Sequence, residues 1–419
     1  MAHTRRRTVV ALTALTALLT VAAGLPGTPA SAAPPPAAVP SRTTAPGPER
    51  WSVNLAVAGG DDVNVTWRSG RLRLADPRPT ARTRPAAVGG PVAEGILLSA
   101  PRTLDRPATR VRAQFAARTG DGGTAVAQVR GWRGRGWTEW RDATEAVFDA
   151  PVSRVQARVV LTTSGSASEA TVTGLTLAAD KVATTAVQPA AALKYRVYAT
   201  RIGLVGGITA NGHTVRTRDH FAALPTRRGL SPRNTGDYTV KVCTTNGSRC
   251  EYAPVWDVGP WNTRDDWWNP ASVRENWKDL PRGLPEAQAA YQNGYNGGRD
   301  QFGRTVRNPA GLDLADGTFW DGLRLTDNAW VDVTLLWTGG GARAVVGSGP
   351  LNLRAGASTS YASRGLAATY AHVPVQCYVT GQRIAGTYRT TTRWYRLVGG
   401  NYVSHAYLSS IYGGTVPRC

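Results

Sequence analysis

Side-chain alternation constrains this chain more than any other feature. Val111, Ala113, Phe115 and Ala117 alternate with Arg112, Gln114 and Ala116. A period of two is the signature of a strand with one buried face. Runs at 155–161 and 172–177 read as further short strands. Gly131-Trp132-Arg133-Gly134-Arg135-Gly136-Trp137-Thr138-Glu139-Trp140 reads as strand, tight turn, strand. Residues 51–180 are therefore expected to form a β-sandwich of jelly-roll type. Secreted folds of this kind often bind carbohydrate, by analogy of fold alone. Trp132, Trp137 and Trp140 could stack on sugar rings, with core packing the expected use of at least two of them.

The chain opens with Arg5, Arg6 and Arg7, an apolar run over 8–25, and Ala30-Ser31-Ala32 as a small-residue cleavage site. This pattern predicts a secretory signal peptide at 1–32. Residues 33–50 are rich in Pro and Ala, have no apolar period, and are expected to be a disordered leader. No lipobox cysteine is present, and no later run is apolar enough to span a bilayer. A secreted, extracellular, cell-wall-associated protein is expected. The four cysteines, an even number, favour two disulfides, with three connectivities open. Asn246-Gly247 between Cys243 and Cys250 reads as a hairpin turn that brings those two sulfurs together. The cysteine and histidine spacings are not those of a metal site, so neither metal nor cofactor is expected.

The formal charge is +21, from 49 basic and 28 acidic residues, and only Lys181, Lys194, Lys241 and Lys278 are lysine. Such a balance attracts polyanions. Peptidoglycan or another anionic wall polymer is the partner that export suggests, for a monomeric protein. No nucleic-acid motif is present. Enrichment in Arg, Ala and Gly also matches the coding bias of a G+C-rich genome.

A second group of motifs follows a linker at 181–193. A strand at 195–200 leads into Gly206-Gly207-Ile208-Thr209-Ala210-Asn211-Gly212. Next come Asp219-His220-Phe221-Ala222-Ala223-Leu224-Pro225 and two runs, 238–244 and 251–258, that pair across the Asn-Gly turn. Val255-Trp256-Asp257-Val258-Gly259-Pro260-Trp261-Asn262 ends the second run. Gly311-Leu312-Asp313-Leu314-Ala315 and a strand at 328–337 close the segment. In this order, the motifs over 194–338 resemble the rare lipoprotein A-like and expansin-like family. The resemblance implies a six-stranded double-psi β-barrel that acts on polysaccharide walls. It also implies that His220 and Asp257 sit together in a groove holding a glycan strand. The chain departs from the family pattern through an insert at 261–310. With Trp261, Asn262, Trp267 and Trp268, and with Trp256 just before it, the insert is expected to wall the groove and bind substrate, the alternative being that it closes the groove. Residues 286–291 read as a helical turn within it.

Cleaving a glycosidic bond needs an acid to protonate the leaving oxygen. Asp257, walled by tryptophans, is the candidate general acid/base, and His220 its orienting or binding partner. Hydrolysis normally uses a second carboxylate, for which Asp265 and Asp266 are candidates. A lytic transglycosylase needs none, because the muramic acid 6-hydroxyl attacks its own C1, and this is the reaction the resemblance implies. The alternative is an expansin-like protein that binds walls without cutting, with His220 and Asp257 tying barrel loops together.

Residues 343–419 resemble a bacterial Src-homology-3-like wall-targeting domain. The carrying residues are Gly349-Pro350-Leu351-Asn352-Leu353-Arg354-Ala355-Gly356-Ala357-Ser358, Trp394-Tyr395-Arg396-Leu397 and 401–408. A small wall-binding β-barrel is implied, raising the local concentration of substrate. Assigning each cysteine pair to one domain predicts Cys243–Cys250 and Cys377–Cys419.

Overall fold

A computed structural model describes residues 47–56, 59, 61–78, 93–163, 169–184 and 191–419. The expected signal peptide and most of the leader lie outside the described residues. The leader gives way earlier than expected, since Glu49–Ser52 already forms a strand against Thr171–Asp180.

The N-terminal part is a nine-stranded sheet that encloses one apolar core. Two long strands organise it. Arg102–Arg118 pairs with both Ala146–Thr163 and Thr171–Asp180. Ala146–Thr163 pairs in turn with Ala93–Leu98 and Gly123–Trp132. The alternating run 111–117 lies inside the first of them, as its period requires.

Six strands form the central closed barrel: β1 (Leu193–Arg201), β2 (Ala222–Leu224), β3 (Thr239–Thr244), β4 (Cys250–Val258), β5 (Ala310–Leu314) and β6 (Ala329–Leu335). The order around it is β1-β5-β2-β4-β3-β6 and back to β1. The pairs β1–β5 and β2–β4 are parallel and the other four antiparallel. Every central edge is thereby paired. Inward apolar side chains such as Val197, Leu224, Val240, Val255, Leu312 and Val333 are fully buried. The insert sends Trp267 and Trp268 into the apolar cluster of the barrel and contains one α-helix, α1 (Glu286–Asn293).

The boundary between the first two parts is bridged by side chains. Trp140 belongs to the N-terminal part, yet it packs in the barrel core with Trp267, Trp268 and Trp337. Its Nε1 donates to the Leu230 carbonyl at 3.2 Å, and the Arg158 guanidinium lies 4.3 Å from its ring centroid. Burial of a ring this large contributes on the order of 2–3 kcal/mol. Trp132 and Trp137 pack edge to face with each other, with Arg154 over both. Trp140 is fully buried, whereas Trp132 and Trp137 stay half-buried in their cluster.

The C-terminal seven strands are joined to the barrel by hydrogen bonds. Ser363–Ala367 runs parallel to β4, pairing Cys250, Glu251 and Tyr252 with Gly365, Leu366 and Ala367. Gly365 permits the approach: a Cβ there would overlap the Cys250 carbonyl oxygen, and its φ is +140°. Both expected disulfides are present, Cys243–Cys250 and Cys377–Cys419. No helix among the described residues is long and apolar enough to cross a membrane.

Candidate functional site

Strand β2 carries three residues between β4 and β5, and its register sets the site. Ala223 is opposite Asp257 on one side and Asp313 on the other. Two strand spacings put the Asp257 and Asp313 Cα atoms about 10 Å apart. Asp313 is opposite Thr200 of β1 and accepts a hydrogen bond from its hydroxyl. Asp257, 6% exposed, accepts the Ala210 N–H at 2.8 Å. That bond holds the 209–214 loop on the end of β4, where Asn211 N–H also donates to the Trp256 carbonyl at 3.2 Å. In the same loop the His213 ring lies 4.8 Å from Trp256, and its Nε2 is 2.7 Å from Asp219 Oδ2.

His220 does not bond Asp257. Its Nδ1 is 2.9 Å from Glu251 Oε1, and that oxygen also accepts from the Thr318 hydroxyl at 3.0 Å. Glu251 and Asp257 both lie on β4, and the step from 251 to 257 amounts to about 20 Å of extended chain. The expected His220–Asp257 pair is therefore split between the two ends of one strand. The cause is the parallel register of β2 on β4. Ala222 meets Val255, so His220, two residues earlier, reaches back toward Glu251. Burial pulls the His220 ring down, but the hydrogen bond and charge of Glu251 outweigh it and leave the ring above its ordinary value. Glu251 is fully buried, and its Oε2 has no hydrogen-bond partner. Gly317 passes so close to His220 Nε2 that a Cβ there would collide with it.

The insert does not present its tryptophans to a groove. Trp267 and Trp268 are 0% exposed, with Nε1 groups donating to Gly311 O at 3.2 Å and to Glu139 Oε1 at 2.6 Å. They are core residues. Trp256 is buried against Phe221, and Trp261 is half-buried with its Nε1 on Asn308. Asn262 is buried and donates to Glu286 Oε2 at 2.6 Å. Asp265 and Asp266 are buried in ion pairs with Arg274 and Arg228. Burial pushes Asp265 up to about 6 against the pull of Arg274, and Glu286 up to about 7. No group of His, Cys, Asp or Glu among the described residues could hold a metal ion.

Two features escaped the motif reading. Glu251 is, apart from Asp257, the only charged residue in the otherwise apolar strand Cys-Glu-Tyr-Ala-Pro-Val-Trp-Asp-Val, and that isolation was its signal. Trp320, 37% exposed, lies within 5 Å of both the Arg201 and Arg218 guanidinium carbons, an arrangement no local pattern foretells. In the C-terminal part, a cleft of about 330 Å³ is lined by residues including Pro350, Asn352, Arg354, Trp394 and Tyr407. These belong to the segments that carry the Src-homology-3-like resemblance.

Residues 193–334 match a family described as Domain of unknown function (DUF8814), and the match covers the barrel and its insert. No curated protein and no solved structure matches the chain.

Proposed function

We propose that this chain is a secreted wall-binding protein that holds peptidoglycan strands without cutting them. The observation that carries the reading is the cleft of about 330 Å³ in the C-terminal part. Its lining mixes two aromatic residues and a proline with Asn352, Arg354 and Thr359, a combination suited to a polar polymer with apolar faces. The separation of His220 from Asp257 supports binding over cleavage, because neither can orient the other. The signal-like N-terminus, the two disulfides and the resemblance to wall-acting barrels support the setting.

A second reading, glycan cleavage at Asp257, is favoured by one feature. Asp257 and Asp313 flank the small Ala223 on neighbouring strands, their Cα atoms about 10 Å apart, and hydrolysis of a glycosidic bond uses two carboxylates. One experiment decides between the two. The exported chain, residues 33–419, is sedimented with purified peptidoglycan, and the supernatant is analysed by mass spectrometry. Binding that falls at least about ten-fold in Asn352→Ala/Tyr407→Ala, with no new chain ends, supports the proposal. Release of 1,6-anhydro or reducing ends that Asp257→Asn abolishes establishes the second reading in its place. Neither binding nor release overturns both.

A further inference from the structure

The acidic residues of this chain are unevenly placed. All 28 of them precede Val333, so residues 343–419 contain eight arginines and no Asp or Glu. In the other parts of the molecule, many arginines pair with carboxylates, as in Arg274–Asp265, Arg228–Asp266 and Arg110–Asp180. No such partner exists within the C-terminal part.

Two of its arginines face a cleft of about 360 Å³, distinct from the one described above. Arg389 precedes the strand Thr390–Leu397, and Arg393 lies on it. Both guanidinium groups are held by contacts that leave their charge unneutralised. The Arg393 guanidinium carbon lies 4.3 Å from the ring centroid of Tyr378. Arg389 Nη1 donates to His405 Nε2. Burial and the two neighbouring arginines push the His405 ring down to about 4, so at neutral pH it is an uncharged acceptor. Neither arginine makes an ion pair among the described residues. Thr380, Thr390, Thr391 and Thr392 add hydroxyl groups to the lining, which holds no carboxylate.

We infer that this cleft is a binding site for a phosphodiester polymer. Arg389 and Arg393 are spaced about 13 Å apart along extended chain, which suits anionic groups in series better than one small anion. Guanidinium and hydroxyl donors match phosphate oxygens. The face of Tyr378 is already covered by Arg393, so the cleft offers little for stacking a sugar ring. The inference rests on the wall-binding reading only for where such a polymer is met.

The test is titration of the exported chain with a synthetic glycerol-phosphate phosphodiester oligomer, followed by fluorescence anisotropy. Binding should weaken as salt rises. Arg389→Gln/Arg393→Gln should weaken it at least about ten-fold. Arg364→Gln/Arg383→Gln removes the same charge outside the cleft and should change it less than about three-fold. Peptidoglycan sedimentation by each variant checks that the C-terminal part is folded, and it reports on the first cleft independently. Vesicles of phosphatidylglycerol form a second arm: binding there through the same two arginines, without binding of the soluble oligomer, places the phosphodiester in a lipid headgroup. Equal loss in both double variants, no binding in either arm, or equal affinity for polygalacturonate overturns the assignment.

Discussion

Glu286→Gln tests whether the insert is held together by burial of acids or by their ionic partners. Glu286 is fully buried at the first turn of α1. Its Oε2 accepts from Asn262 at 2.6 Å, its Oε1 has no partner, and Asp265 and Asp300 add negative charge nearby. Burial raises it from 4.5 to about 7. A folded value above the unfolded one means that the stabilising state is the protonated one. The contribution is fully present below about 4.5 and is lost as the pH rises through about 7. At 1.36 kcal/mol per pH unit the upper bound is about 3 kcal/mol, and relaxation with water entry reduces the expected effect to about 1–3 kcal/mol. The glutamine variant cannot ionise, so its stability relative to the parent should rise by that amount between pH 5 and pH 8. His220 does not act on Glu286 and cancels in the comparison, whereas Asp265 is coupled to Glu286 and loses a neighbouring negative charge in the variant, which adds to the rise. The assay is urea denaturation followed by tryptophan fluorescence, which Trp267 and Trp268 report from the core. Parallel pH profiles for the two proteins would refute the reasoning.

Removing Cys377–Cys419 should destabilise the folded chain by about 4 kcal/mol, against about 2 kcal/mol for Cys243–Cys250, because the first closes 42 residues and the second 7. Urea midpoints of the two serine-pair variants check the order. Glu139→Gln should cost about 1–3 kcal/mol. The Glu139 carboxylate accepts from Trp268, Trp337 and Asn269 at once, and an amide would set a donor against one of them. Unchanged stability in that variant would mean that the junction of the N-terminal sheet and the barrel does not depend on this carboxylate.

The strands were legible because alternation is local: the runs at 111–117, 195–200 and 251–258 all fall within observed strands. The disulfides were legible because each pair closes within one segment. The meeting of His220 with Glu251 was not, since it depends on the parallel register of β2 on β4, and a motif gives order along the chain but not register between strands. The tryptophan-rich insert misled for a related reason. Composition announces aromatic rings, but whether they face inward depends on partners for Nε1, and for Trp268 that partner is Glu139, 129 residues away. The junction of β4 with Ser363–Ala367 is another long-range pairing that no local pattern carries.

Charge is the one global property whose meaning the fold changes. Read as composition, +21 fits coding bias as well as it fits a polyanion partner. Coding bias would raise arginine throughout, and arginine is indeed frequent throughout. It would not explain where the carboxylates stop. Before Val333, arginines find structural work: Arg130 and Arg158 lie over Trp140, Arg227 pairs with Glu94, and Arg274 with Asp265. After it, a compact β-structure is built with no carboxylate, and mutual repulsion of its arginines is left uncompensated within that part. Such repulsion costs stability unless a counter-charge arrives from outside. On the proposed reading a polyanionic ligand supplies that counter-charge, and the barrel, joined to the C-terminal part through β4, is the platform on which the surface is held.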